Sequence, residues 1–598
     1  MKTKLTLTLV LGTLLSHAQV SVKSFGAKGD GVTNDAVAIQ KALNSGNTQI
    51  YFEAGKTYMT SSVLFVPSNV TVTGNGATLK PNSSFSTAYD DHPVIGTYSK
   101  PVTFEQSSIS ISVKKGVSTF TYAKASSLKV GAIVLLAGPT YVTYGSDYYK
   151  YGWYASVTAI SGTTVTLSTP STNTYTATSI RQYVTSKNIH IKGVNVNLKG
   201  RKTGTGISLA HTIGSSIESC FVESDPTSTS APVGIGASGL NITVSKNKVR
   251  NIRLGSGVGY GINVSGHNIT VSENDVAVAR HCITSAQRNY MATNINFLNN
   301  VVNNGAGGAP LDFHGNTSGK IDGNTVYSTT PNITSIMVRN SNTVVSNNTI
   351  TVNNASGTRV YGITMDENGY ENITISKNKV YFKGTSGGAC AVSDFGVVGV
   401  LKNIFITRNY FQAGVTFTDE LGTGIHIDSN TFEGNNIYNP VISFSNNIVK
   451  EFYIDGNTFI NNYDSRFNYV LSTTNYNGAI GYIRNNTVRV NNPKNLSALF
   501  RINNVKNVLE NNVFYTQYKY PMIDYTTAKE NWINKSKMVN NVPVSTVITY
   551  KEIPKATAWF VGKIISYTDS AGKTTQYKCV KTSTSTYTWQ KQSTTVTT

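Results

Sequence analysis

Short alternating segments that end on an asparagine recur along most of this chain. NITVSKNKV (241–249), NITVSENDV (268–276), NINFLNNVV (294–302), GKIDGNTVY (319–327) and NITISKNKV (372–380) share one grammar. Apolar and polar residues alternate with period two, then Asn, then another β-branched or apolar residue. Such alternation predicts strands with one buried face. The marker asparagines fall at Asn247, Asn274, Asn300, Asn324, Asn348, Asn378, Asn409, Asn430, Asn457, Asn486 and Asn512, in steps of 21 to 31 residues. A strand-only repeat of this length predicts a solenoid with one coil per repeat, and hence a parallel β-helix. Asparagines at one place in every coil are expected to stack and bond neighbouring backbones, as an internal ladder.

Departures from that grammar divide the chain. Residues 1–18 read as a secretory signal peptide: Lys2 and Lys4 precede an apolar run from Leu5 to Leu15, with a small-residue cleavage site at Ser16-His17-Ala18. Residues 19–104 read as an N-terminal cap and the first coils. There Thr33-Asn34-Asp35 can start a helix over Ala36–Leu43 that covers the open apolar end of the solenoid. Residues 105–180 suggest an inserted β-domain, with an aromatic loop, YVTYGSDYYKYGWY (141–154). Tyr148, Tyr149 and Trp153 in that loop can stack on sugar rings, or can pack the insertion onto the solenoid. The main β-helix occupies 181–515, a cap or linker 516–553, and a small C-terminal β module 554–598.

Composition narrows the partners. The 598-residue chain has 51 Lys and Arg against 30 Asp and Glu, a formal charge of +21, or +19 without Lys2 and Lys4. With only 14% charged residues, that excess implies a polyanionic partner. The basic residues form no dense cluster and no nucleic-acid reader motif appears, which disfavours nucleic acid. An anionic polysaccharide, a uronan or a sulfated glycan, is the expected partner of a secreted or cell-surface chain. No second long apolar run follows the leader, so no membrane span is expected. Four dispersed cysteines (Cys220, Cys282, Cys390, Cys579) suggest neither a disulfide scaffold nor zinc, and at least the middle two read as buried thiols. The oligomeric state is left open.

The opening VKSFGAKGDGVTNDAVAIQKAL resembles the first segment of the pectate lyase-like superfamily. That resemblance, with the repeats, implies an all-β, right-handed, single-stranded parallel β-helix over roughly residues 21–515. The superfamily includes uronan lyases, epimerases, glycoside hydrolases and phage tailspike depolymerases. A narrower likeness lies in GGAPLDFHGN (307–316), which resembles the Asp-Pro-His motif of mannuronan C5-epimerases. It implies proton-transfer roles for Asp312 and His314. Phe313 replaces the proline, and Ala309 stands where that family has a tyrosine.

Alternation places Leu311 and Phe313 on one face of this strand and Asp312 and His314 on the other. With coils about 4.8 Å apart, side chains of neighbouring coils can meet one sugar. The preceding coil offers Arg280 and His281, the next Arg339, and the one after that Asp366, with Tyr260 and Tyr361 at strand entrances. Abstracting the proton alpha to a uronate carboxylate needs a cation on that carboxylate, a base, and an acid for the leaving oxygen. Arg280 or Arg339 can clamp the carboxylate, His281 or His314 can serve as base, and Tyr260 or Tyr361 can donate to the leaving oxygen. Asp312 can orient a histidine or, when protonated, quench the substrate carboxylate charge, and Asp366 can assist in binding. The expected catalytic set is therefore His281, Asp312, His314, Arg339 and Tyr361. The expected substrate-binding set is Arg280, Tyr260, Asp366, Tyr148, Tyr149 and Trp153. No cofactor is required by this chemistry, although carboxylates on a β-helix face could take calcium. β-Elimination by a lyase is the leading expectation. A glycoside hydrolase, a C5-epimerase and a non-enzymatic adhesin or tailspike-like binder are the alternatives.

Overall fold

The computed structural model describes residues 19–592, with the side chains of 141–149, 304, 421, 461, 473, 479, 490, 500–502, 505–507, 514, 516, 523–524, 531–534, 537–538, 564–568, 574 and 579 outside the description. Also outside it are 86–91, 98–101, 145–146, 202–203, 227–232, 253–258, 286–291, 305–307, 315–317, 330–333, 354–359, 367–369, 384–387, 395–399, 418–420, 435–440, 445–448, 462–469, 474–478, 491–499, 503–504, 517–522, 525–530, 535–536, 539–563, 569–573 and 584–585. The leader expected at 1–18 and the side chains of Tyr148 and Tyr149 thus lie outside the described residues. Among the described residues no helix is long and apolar enough to cross a membrane.

The chain winds into a parallel β-solenoid of about 14 turns. Its strands pair in parallel and in register with those of the coils before and after; Ile235 meets Ile262, which meets Ile283, which meets Leu311. The inward residues of successive coils form one continuous apolar core, running from Val22 to Leu509. The asparagine ladder holds its coils together. Each Asn from Asn247 to Asn486 donates its side-chain amide to the carboxamide oxygen of the next at 2.9–3.0 Å. The same oxygen accepts the backbone N–H of the preceding Asn, as in the 2.9 Å bond from Asn300 to Asn324. Cys220 begins the series, its N–H donating to Asn247 at 2.9 Å. Cys220, Cys282 and Cys390 are buried.

A helix over Ala36–Leu43 turns Ala36, Ile39, Ala42 and Leu43 into the core. Asp35 stands at its N-cap, but its carboxylate does not cap the helix. It accepts instead from the N–H groups of Lys28 (2.7 Å) and Gly29 (3.0 Å), and so holds the preceding turn. Gly29 is required there: its φ is +60°, and a Cβ would lie 2.8 Å from the Tyr58 ring.

Between Phe104 and Gln182 the chain leaves the solenoid to form a six-stranded antiparallel sheet with its own core. Trp153 belongs to that core. It is 4% exposed, meets Phe120 edge-on and donates its indole N–H to Thr169 O at 2.9 Å. The role expected for Trp153 in sugar stacking is therefore corrected: it packs the insertion. Docking onto the solenoid runs through Ile133, Leu135, Ala137 and Tyr154 against Leu240. Tyr183 stacks on His211 at 3.9 Å, and Tyr154 Oη lies 2.8 Å from His211 Nδ1.

Coil pairing continues past the expected boundary at 515, since Asn531–Asn534 pairs with Asn507–Glu510 and Lys537–Met538 with Val513–Phe514. This stretch lacks the marker asparagine, the signal by which coils are recognised in the sequence. The C-terminal residues form a three-stranded antiparallel sheet, Ile564–Thr568, Thr574–Lys581 and Tyr587–Lys591. Its Tyr577 and Trp589 are partly buried against the solenoid core.

The candidate site lies on five strands of one parallel sheet: β1 (Tyr260–Ser272), β2 (His281–Ser285), β3 (Leu311–His314), β4 (Thr334–Arg339) and β5 (Val360–Met365).

Candidate active site

Register on β1–β5 sorts the outward residues into three columns along the solenoid. The first runs Tyr260, His281, then Ala309, which lies two residues before Leu311, and on to Thr334 and Tyr361. The second runs Asn263, Thr284, Asp312, Met337 and Thr364. The third contains His314 and Arg339, followed by Asp366, whose N–H donates to Val338 O. Leu311 and Phe313 are fully buried in the core, with Phe313 edge-on to Phe297 at 4.8 Å. Asp312 therefore lies on the outer side of the strand, as alternation requires.

Facing outward does not expose it to solvent, however. Asp312 is 2% exposed and His281 6%. Alternation decides which face a side chain occupies, but not what covers that face. Asp312 thus sits at the floor of the cluster, where it can orient its neighbours. His314 is only half-buried, and Tyr260 and Arg280 are likewise partly exposed.

The charged groups form one chain across four coils. His281 Nδ1 lies 3.6 Å from Asp312 Oδ2, Arg339 Nε 3.6 Å from Asp312 Oδ1, and Arg339 Nη2 3.7 Å from Asp366 Oδ2. The Arg339 guanidinium also rests on the sulfur of Met337. At the other end Arg280 Nη1 donates to the Tyr260 hydroxyl at 3.4 Å, and the Tyr260 ring stacks beside His281 with centroids 5.8 Å apart.

Burial holds the His281 pKa below the ordinary histidine range, against the opposing pull of Asp312. Its Nδ1 lies 2.9 Å from the Ala309 carbonyl oxygen. A carbonyl can only accept, so Nδ1 carries the proton, and in the neutral ring Nε2 keeps its lone pair. For Asp312, burial acts to raise the pKa. The charge of Arg339, then the histidines and Arg280, outweighs it and leaves the carboxyl below the usual carboxylate range. An ionised aspartate therefore stands beside a neutral histidine.

Gly308 makes the close packing at this point feasible. A Cβ on it would lie 2.5 Å from Arg280 O, 2.9 Å from Arg280 Cγ and 3.0 Å from His281 Cε1. Neither Gly308 nor the Ala309 carbonyl stood out in the sequence, because backbone atoms carry no residue signature. Of the expected site residues, Tyr260, Arg280, His281, Asp312, His314, Arg339 and Asp366 come together. Tyr361 does not stand with Tyr260: it is 8% exposed and lies two coils beyond Asp312 in the first column. Among the described residues no group of three or more His, Cys, Asp or Glu could hold a metal ion.

Comparison with known proteins agrees with this architecture. Residues 19–126 match the family model described as rhamnogalacturonase A/epimerase, pectate lyase-like. A preneck appendage protein of Bacillus phage PZA is 48% identical over 62 residues, 10% of this chain and 7% of that protein. A probable glucan endo-1,3-beta-glucosidase of Arthroderma benhamiae is 46% identical over 57 residues, 9% of this chain and 6% of that protein. These sequence matches thus span only a small part of either relative. The crystal structure of the tailspike protein gp49 from Pseudomonas phage LKA1 superposes over 79% of this chain and 83% of that one, with a TM-score of 0.53 at 16% identity. That likeness speaks to fold alone. With the register, the core and the superposition in agreement, the chain is a parallel β-solenoid whose residues 19–126 are similar to the pectate lyase-like family.

Proposed function

We propose that this protein is a secreted polysaccharide lyase that cleaves a uronate-containing anionic polysaccharide by β-elimination. The observation that carries the reading is the placement of His281, whose Nδ1 lies 2.9 Å from Ala309 O and 3.6 Å from Asp312 Oδ2, with burial lowering its pKa and favouring the neutral ring. Nε2 of such a ring is the base the first step needs. In that step Nε2 takes the C5 proton, and the electron pair left behind is delocalised into the substrate carboxylate. The pair then forms the C4–C5 double bond as the C4–O bond breaks, and the leaving oxygen takes the proton of the Tyr260 hydroxyl. Arg280, hydrogen-bonded to Tyr260, stabilises the phenolate that results. Arg339 is the clamp for the substrate carboxylate, with its side chain 13% exposed and anchored by Asp312 and Asp366.

Hydrolysis is less well supported. It requires one carboxylic acid held protonated near neutrality, whereas Asp312 is held ionised. Asp366, two coils away at about 10 Å along the axis, faces the same arginine. Incubation with alginate, pectate, hyaluronan and chondroitin sulfate tests the reading. Elimination yields an unsaturated uronate with new ultraviolet absorbance. New reducing ends without that absorbance would mean hydrolysis; altered uronate NMR signals with neither would mean epimerisation.

A further inference from the structure

Three consecutive rungs of the second column share an unusual property. Asn263 Oδ1, Thr284 Oγ1 and Asp312 Oδ1 are buried oxygens that make no hydrogen bond among the described residues. They belong to directly registered residues on β1, β2 and β3. The Asp312 oxygen has an ion-pair neighbour in Arg339 at 3.6 Å, but no hydrogen-bond donor. Farther along the same column the pattern changes, for Thr364 Oγ1 donates to Thr334 Oγ1 at 3.0 Å. Leaving a buried oxygen without a hydrogen-bond partner is costly, so three in one line on an outer strand face mark a place that a ligand completes.

Spacing decides the ligand class. The rungs are about 4.8 Å apart, and calcium–oxygen distances are about 2.3–2.6 Å. One cation could therefore touch two neighbouring rungs at most, and never all three. Arg280 and Arg339 beside the column also oppose a bound cation. Hydroxyl groups strung along a chain meet both conditions: each donates to one rung, and none brings charge.

We propose that Asn263 and Thr284 read the hydroxyls of saccharide units bound on the N-terminal side of the reacting sugar, with the polymer running along the solenoid from Asp312 toward the inserted domain. This deepens the saccharide reading of the same face and rests on it. The insertion lies at that end: it docks on Leu240, which registers with His267 of β1, and its strand Asp147–Ser161 touches β1. Thr284 and Asp312 are enclosed at 1% and 2% exposure. An incoming hydroxyl must displace the groups that cover them, and then gains hydrogen bonds shielded from water.

The test uses full-length protein, isothermal titration calorimetry, and tetra- and hexasaccharides of alginate, pectate, chondroitin and cellulose. Variants are Thr284→Val and Asn263→Ala, with Thr416→Val as control, since the same column continues in register from Thr364 through Ser393 to Thr416. For whichever oligosaccharide the wild type binds, each of the first two variants is expected to raise Kd about five- to tenfold, while the control leaves it unchanged. Thr284→Val should melt at the same temperature as the wild type or higher, because valine fills the same space without an unmatched hydroxyl. An unchanged Kd in both variants, a lowered melting temperature for Thr284→Val, or no binding of any oligosaccharide by the wild type would overturn the proposal. A bound oligosaccharide that is never cleaved by elimination would sink the lyase reading and leave this one standing.

Discussion

Replacing Asn324 by alanine removes a mid-ladder rung, and the structure gives the size of the effect. The Asn324 oxygen accepts from the backbone N–H and the side-chain amide of Asn300, both at 2.9 Å. Its amide donates to Phe297 O and to Asn348 Oδ1, again at 2.9 Å. Truncation leaves two buried donors on Asn300 unmatched, at roughly 1–3 kcal/mol each, and strips partners from two acceptors. We expect a loss of about 4 kcal/mol. Asn268 supplies an internal control. It belongs to a second, exposed asparagine ladder, with bonds of 2.7 Å to Asn241 and 2.9 Å from Asn294, and has φ +56°. Water replaces its partners and glycine suits its backbone, so Asn268→Gly should cost less than about 1 kcal/mol. Native-state hydrogen exchange is the assay, because a long solenoid need not unfold in one step. Exchange at the Asn300 amide should speed up roughly a thousandfold in Asn324→Ala, since 1.4 kcal/mol is tenfold. If Asn324→Ala proves no more costly than Asn268→Gly, the ladder is not what holds the coils in register.

Further outcomes follow from the titrating groups. Burial lowers the His211 pKa to about 4, so the fold holds the ring neutral while the unfolded chain binds a proton near 6.5. The insertion's docking contributes fully above about pH 6.5 and should weaken as pH falls toward about 4, by up to roughly 3 kcal/mol; limited proteolysis across that window reads it. Tyr154→Phe removes the hydroxyl from His211 Nδ1 and should loosen the same junction by about 1–2 kcal/mol. Because the His281 pKa is lowered, the acid limb of kcat/KM should fall below the ordinary histidine value, and a limb at or above it would contradict a neutral base. Asp312→Asn, which keeps the shape and deletes the charge, should cut kcat about a hundredfold with little change in KM.

The ladder was legible because it repeats: one residue type at one place in every coil appears in the sequence as a period. The helix over Ala36–Leu43 was legible as well, since its apolar spacing needs a surface to cover. Sequence pattern also gave the face of Asp312 correctly, through Leu311 and Phe313. It could not give burial, because cover comes from residues remote in the chain. Trp153 shows the same limit: a tryptophan among tyrosines reads alike as a stacking platform or as core, and only Phe120 and Thr169 decide. The coil at Asn531–Met538 was missed for want of a marker asparagine. Asn263 and Thr284 look like ordinary polar positions until register aligns them with Asp312.

The most direct test of the central claim compares wild-type protein with His281→Ala on the uronan panel, following the ultraviolet absorbance of unsaturated product and checking both proteins by circular dichroism. The wild type should form product on at least one polymer, and the variant should lose at least about a thousandfold in rate while keeping its β-sheet signal. Undiminished elimination by folded His281→Ala would contradict the claim.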